Sequence, residues 1–181
     1  MEFRLIYSGK LKSNGNIKHK NEIRKYFHEQ LKVLWDQVPL SKKTYLLDST
    51  HKRSIIKKIK GINFAPLVSS KISTLASLNI TLLRPAPPGC MVNHGGDIDN
   101  RLKTLLDSLR MPINEKEITE NISIINENPF FCLLEDDALI TNLSITTDRL
   151  LTSSDPSETL IIINVNIRGE ILVFDDVLTY A

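Results

Sequence analysis

The sequence predicts a mixed α/β (α+β) fold, a small and largely antiparallel sheet with helices packed on one side. Three observations lead there. Runs rich in β-favouring residues stand near both ends of the chain, at 3–11, 139–146 and 159–167. Between them lie two apolar stripes at helical spacing, Ile23, Phe27, Leu31 and Leu34, then Ile98, Leu102, Leu105 and Leu109. With 181 residues, 41% of them hydrophobic and 24% charged, the chain can bury one core, so a single domain over 1–181 is expected.

In chain order, 3–11 carries Phe, Ile and Tyr before the turn Ser13-Asn14-Gly15-Asn16 and reads as a first strand. The first helix runs over 20–37, with Val38 continuing its stripe and Pro39 closing it. Its other face carries Lys20, Arg24, Lys25 and Lys32. A second cationic stretch follows at 51–60, where Lys52, Arg53, Lys57, Lys58 and Lys60 surround Ile55, Ile56 and Ile59. Ending at Gly61, it reads as a helix within a basic insertion at about 42–71. Residues 80–83 form a core strand that meets the breaker cluster Arg84-Pro85-Ala86-Pro87-Pro88-Gly89. The next helix opens at Asp97, which sits where an N-cap belongs. Residues 111–128 are polar and irregular. Residues 130–134 lead into Glu135-Asp136-Asp137, and the two β runs that follow, joined by the turn-like Ser153-Ser154-Asp155-Pro156, are expected to form an antiparallel hairpin. A short last strand is expected at 171–174.

Composition narrows the function classes. No stretch approaches the length of uncharged apolar sequence a bilayer span needs, and the start lacks the basic-then-apolar order of a secretory signal, so a cytoplasmic address without membrane contact is expected. Two cysteines, Cys90 and Cys132, are too few for a disulfide or zinc framework and are expected to be buried or incidental thiols. The net charge of +2 conceals an asymmetry. Residues 1–71 hold 16 Lys or Arg against 5 Asp or Glu, and the remainder 7 against 16. A basic part joined to an acidic part suits a protein that grips a polyanion while offering carboxylates to a metal, although lysine-rich surfaces are also ordinary solvated faces.

Two acidic motifs carry the chemistry, Asp97-Ile98-Asp99-Asn100 opening a helix and Glu135-Asp136-Asp137 opening a strand. Carboxylates at i and i+2 beside a helix start can converge, and their hard oxygens suit magnesium or manganese. A third carboxylate must come from elsewhere, and an acidic strand start packed beside the helix can donate it. Asp99, Lys103 and Asp107, spaced by four, share the face opposite the leucine stripe. Each feature has an ordinary reading too: Asp97 as a helix cap, 135–137 as a solvated turn, Lys103 as half of an i,i+4 ion pair, His94 as a loop histidine.

The arrangement as a whole is more specific. The run Gly96-Asp97-Ile98-Asp99-Asn100-Arg101-Leu102-Lys103, with the later Leu134-Glu135-Asp136-Asp137-Ala138-Leu139-Ile140, resembles the signature of the RusA-like Holliday junction resolvase family. The likeness is specific from about residue 80 to 167. It implies a RusA-like fold and a magnesium-dependent endonuclease, a hydrolase of phosphodiester bonds in branched DNA, acting in recombination and repair as a homodimer. It implies that Asp97, Asp99 and Asp137 hold the divalent ion, magnesium or manganese, and that Lys103 supports catalysis. Asn100 and Asp107 also fall on matching positions, and Asn100, Asp107 and Asp136 are expected to orient the ligands and water around the ion. Lys18, Lys20, Arg24, Lys25, Lys52, Arg53, Lys57, Lys58 and Arg101 are expected to take the flanking phosphates.

Three features depart from the family pattern: the place before the first motif holds Pro87-Pro88-Gly89-Cys90-Met91-Val92-Asn93-His94 rather than arginines, the spacer between Asp107 and Asp136 is long, and the basic insertion is extra. They bear on junction preference more than on the metal. The competing function is a nucleic-acid-binding module of the same fold with little or no cleavage. An Asp-x-Asp after a core strand also serves nucleotide-sugar transferases, but the larger nucleotide-binding domain that chemistry uses has no counterpart in this sequence.

Overall fold

The computed structural model of the chain describes residues 1–87, 97–119, 128–153 and 155–169. Strand β1 (Glu2–Lys10) opens it, with Leu5 and Tyr7 buried at alternate positions. Helix α1 (Ile17–Trp35) starts where the Asn16 side chain accepts the His19 amide at 2.9 Å, an N-cap. Ile23, Phe27 and Leu31 are buried as the sequence stripe marks, Leu34 is partly buried, and Trp35, outside that stripe, continues the buried face at i,i+4. Val38 does not share it and is 69% exposed, because the helix has ended at Trp35.

The segment expected to be a second basic helix is β structure. After two 3-10 turns, Leu40–Lys42 and Thr44–Leu47, strand β2 (Lys57–Ile59) turns back on β3 (Ile62–Val68). The two turn residues, Lys60 and Gly61, have φ of 50° and 79°, the left-handed geometry of a tight hairpin between right-twisted strands. Gly61 is therefore a turn residue and not the end of a helix. β3 is buried from Phe64 to Val68 and pairs in parallel with β5 (Phe130–Leu134) on its other edge. Residues 42–71 are thus not a helical insertion: they supply the central strand of a three-stranded sheet ordered β2-β3-β5.

The second sheet has four strands, ordered β1-β7-β4-β6, with β4 (Thr74–Arg84), β6 (Ile140–Arg149) and β7 (Glu158–Gly169). β7 lies antiparallel to both β1 and β4, whereas β4 and β6 are parallel. The hairpin expected between β6 and β7 does not form, since β4 lies between them. Side-chain alternation gives the reason. β4 buries Ala76, Leu78, Ile80 and Leu82, and β7 buries Ile161, Ile163, Val165 and Ile167, so both belong inside the sheet. β6 exposes Thr141, Asn142 and Ser144, and its polarity suits an edge.

The fold is mixed α+β, with two helices and seven strands among the described residues, in two sheets where one was expected. Helix α1 packs against β5, β1 and the second helix, α2 (Asp97–Leu109). Both helices share one main core with the apolar face of the four-stranded sheet, and a satellite cluster of Phe64, Met111, Ile118, Phe130 and Cys132 lies beside it. The opposite face of that sheet is polar, with Glu2, Arg4, Ser77, Asn79, Asn164 and Asn166 around one shallow groove, which is why the helices stand on one side only. Within the irregular spacer, Asn114 caps a 3-10 turn at Glu115–Glu117. Cys132 is a buried free thiol whose pKa burial pushes up to about 12. Cys90, His94, the rest of the spacer at 120–127 and the strand expected at 171–174 lie outside the described residues. Among the described residues no helix is long and apolar enough to cross a membrane.

Candidate active site

Helix α2 presents two unlike faces, as its sequence dictates. Leu105 and Leu109 are fully buried, and Ile98, Leu102 and Leu106 pack against the same core. Asp99 and Lys103, one turn apart, are exposed on the outward face. Thr104 is buried and ties the helix to the turn before α1: its hydroxyl accepts the Gly15 amide at 2.9 Å and donates to the Asn100 carbonyl at 3.0 Å. Arg101 does not project as a bare cation, for it is half-buried and its guanidinium donates to the Leu11 carbonyl. The backbone of Asp97 opens the helix, and its side chain lies outside the described residues.

The third member of the i,i+4 series behaves differently. Asp107 accepts Lys20 Nζ at 2.7 Å and Arg110 Nη2 at 3.0 Å, and Arg110 also donates to Glu117 at 3.0 Å. Arg24 completes this cluster from α1, donating to the carbonyls of Asp107 at 2.6 Å and Arg110 at 2.9 Å. Burial works against ionisation of Asp107, but Lys20 and Arg110 prevail and hold its carboxyl below the usual carboxylate range. Asp107 thus fastens the end of α2 to α1, and its oxygens are committed to that role.

The acidic triplet after β5 divides in the same way. Glu135 turns inward: Ser69 Oγ donates to it at 2.6 Å, the Ser70 amide at 3.1 Å, and Lys57 pairs with it from the hairpin. Burial opposes its charge, yet these donors hold its pKa below the ordinary value. Asp136 caps, accepting the Ala138 amide at 2.8 Å. Asp137 begins the resulting 3-10 turn, Asp137–Leu139, rather than a strand, and its side chain is exposed. Among the described residues neither the Asp99 nor the Asp137 carboxylate has a hydrogen bond or ion pair.

The helix that carries the first acidic motif meets the strand that delivers the second, but at the helix end remote from Asp99. Met111, just past α2, donates its amide to Leu134 at 2.8 Å, and Arg110 and Leu134 form a parallel bridge, so the end of the helix is bolted to the strand that delivers the triplet. Leu106 and Asp137 line one open groove with Ala138 and residues 140–143. Leu106 is partly buried at the edge of the core face and stands two turns past Asp99, an axial separation of about 10 Å. The junction of the two elements therefore lies at the second half of α2, and among the described residues no three acidic, histidine or cysteine side chains gather as a metal cluster.

The basic residues named from sequence also separate. Lys18, Lys25, Lys52 and Lys58 are exposed. Arg24 was expected to take a phosphate and cannot: its side chain is 3% exposed, because the face it occupies on α1 is the one on which the end of α2 lands. Lys20 and Lys57 are held by Asp107 and Glu135, and Arg53 is half-buried. Sequence reasoning missed Glu135, Ser69 and Thr104 as organisers of this region. Only the first carried any local signal, its place in the acidic triplet, since the partners of Glu135 lie 66 and 78 residues away. Comparison of the chain with protein-family models, with curated proteins and with solved structures returned no match.

Proposed function

We propose that this chain is a divalent-metal-dependent endodeoxyribonuclease of the RusA-like type, cutting phosphodiester bonds in branched DNA as a homodimer. The observation that supports it most is the sorting of the acids. Asp107 and Glu135 are neutralised by lysine, arginine and serine donors, whereas Asp99 and Asp137, two of the three residues that the family resemblance marks as metal ligands, keep exposed carboxylates. An exposed carboxylate left without a counter-charge suits a hard divalent cation, so the donor set fits magnesium or manganese.

Asp97, Asp99 and Asp137 would hold the ion. Bound there, magnesium lowers the pKa of a coordinated water and offsets charge on the phosphate. Lys103, exposed one turn from Asp99, offers its ammonium to a phosphate oxygen whose negative charge grows at the transition state. Asn100, half-buried beside Asp99, can steady a carboxylate or a water through its amide. Lys18, Lys25, Lys52 and Lys58 supply positive charge for flanking phosphates without reading bases. Two-fold symmetry would pair two such sites for opposed cuts across a branch.

A nicking assay on four-way junctions, flaps and forks in magnesium, manganese and calcium tests this. Cleavage should appear with the first two ions, and Asp97→Asn, Asp99→Asn and Asp137→Asn should each reduce it by at least a hundredfold while the fold is retained. Cleavage that survives all three changes would refute the assignment. Salt-sensitive binding without cleavage in either ion would favour the binding-module alternative, and a monomer at every concentration in equilibrium ultracentrifugation would remove the symmetric-cut argument.

A further inference from the structure

We infer that Glu135 is a positioning residue for the candidate metal site, fixing the backbone from which Asp137 projects, an inference that rests on the nuclease reading above. Its side chain is 14% exposed and its carboxylate sits in a nest of donors from the connection after β3 and from β2. Ser69 Oγ reaches it at 2.6 Å, the Ser70 amide at 3.1 Å and Ser70 Oγ at 3.1 Å, and Lys57 closes the set. The Glu135 amide donates in turn to the Val68 carbonyl at 2.9 Å. One residue is thereby clamped by side chain and main chain to the connection between β3 and β4 and to the hairpin.

The next residue is fixed from the other direction. Asp136 caps the 3-10 turn through the Ala138 amide, and Thr141 Oγ1 donates to the Ala76 carbonyl at 3.2 Å where β6 joins β4. Asp137 stands between these anchors with its own carboxylate unbonded among the described residues. An exposed ligand gains nothing from its own contacts before the metal arrives, so its geometry must come from the backbone. Without the Glu135 clamp the residues leading to Asp137 would sample more conformations, and that ordering would have to accompany metal binding. Lys57, expected from sequence to hold a phosphate, is on this account part of the strut.

Manganese binding to the full chain, followed by the paramagnetic resonance signal of free Mn²⁺, gives a readout independent of cleavage. Glu135→Ala should weaken Mn²⁺ binding by roughly tenfold, in the range seen when outer partners of metal ligands are removed. Glu135→Gln, which keeps acceptors for Ser69 and Ser70, should recover part of the loss, and Ser69→Ala should cost a few-fold. A core truncation away from this region, Ile163→Val in β7, should lower the melting temperature and leave Mn²⁺ affinity unchanged, which separates positioning from general destabilisation. In the cleavage assay the Glu135 variants should need more metal while approaching the wild-type plateau.

Wild-type binding with folded Glu135→Ala at unchanged affinity overturns this inference and leaves the nuclease reading standing. Wild-type protein that binds no Mn²⁺ overturns both. If Glu135→Ala does not fold, Glu135→Gln and Ser69→Ala decide the matter by the same measure.

Discussion

The guanidinium of Arg24 on α1 donates to the Asp107 carbonyl in the last turn of α2 at 2.6 Å, while Lys20, one turn earlier on α1, holds the Asp107 carboxylate at 2.7 Å. A helix end leaves carbonyls without partners and carries partial negative charge, and a cation answers both deficits. Here the cation comes from another helix, so the cap is also the seam between α1 and α2. Replacing Arg24 by Met should leave the Asp107 and Arg110 carbonyls short of donors in a buried place and cost about 3 kcal/mol of stability. Urea unfolding measures it, and a loss below about 1 kcal/mol would mean that the seam rests on apolar contact alone.

The same cluster gives a pH dependence with a definite sign. The Asp107 carboxyl titrates lower in the folded protein than its ordinary value of 3.8, since Lys20 and Arg110 outweigh the cost of burial. Above that ordinary value both states are ionised and the contribution is complete. As pH falls below it the unfolded chain takes up the proton first, and the contribution disappears as pH passes through the lower folded value. Urea midpoints of the wild type should therefore fall more steeply below about pH 4 than those of Asp107→Asn. Parallel curves for the two proteins down to pH 3 would contradict this.

The fold was legible where local period decides the outcome. The stripes Ile23-Phe27-Leu31 and Ile98-Leu102-Leu105-Leu109 become the buried faces of the two helices, and the outward placing of Asp99 and Lys103 follows from the same period. It was not legible where the period is ambiguous or the partner is remote. Ile55, Ile56 and Ile59 among lysines fit a helix stripe as well as a strand, and Gly61 closes a helix or turns a hairpin equally well. Nothing near β6 or β7 says that β4 will come between them, because that choice depends on how many apolar faces each strand must bury. Arg24 looked solvated since a helical wheel cannot show which part of its polar arc a second helix will cover.

The hairpin turn makes its own prediction. Gly61 has φ of 79° with open space where a Cβ would stand, so the cost of a side chain there is conformational and not a clash. Gly61→Ala should destabilise by about 1 kcal/mol. Lys60 sits at φ 50° in the same turn, where asparagine is better tolerated, and Lys60→Asn should stabilise by roughly 0.5 kcal/mol. Opposite signs in thermal unfolding support the hairpin, whereas a helix at this place would be weakened by asparagine.

The basic surface can be tested without any assumption about catalysis. Each lysine that neutralises a DNA phosphate releases counterions, so its removal should lower the slope of log affinity against log salt by about 0.9. Lys18, Lys25, Lys52 and Lys58 are exposed, and their alanine variants should show that reduction to the extent each touches the backbone. Lys20 is committed to Asp107 and Arg24 is buried, so Lys20→Met and Arg24→Met should alter stability and leave the slope alone. Fluorescence anisotropy with a labelled four-way junction in calcium, at four salt concentrations, reads all six variants. A slope reduced as strongly by Arg24→Met as by Lys25→Ala would mean that α1 separates from α2 when DNA binds. That outcome would replace a fixed seam with one that opens.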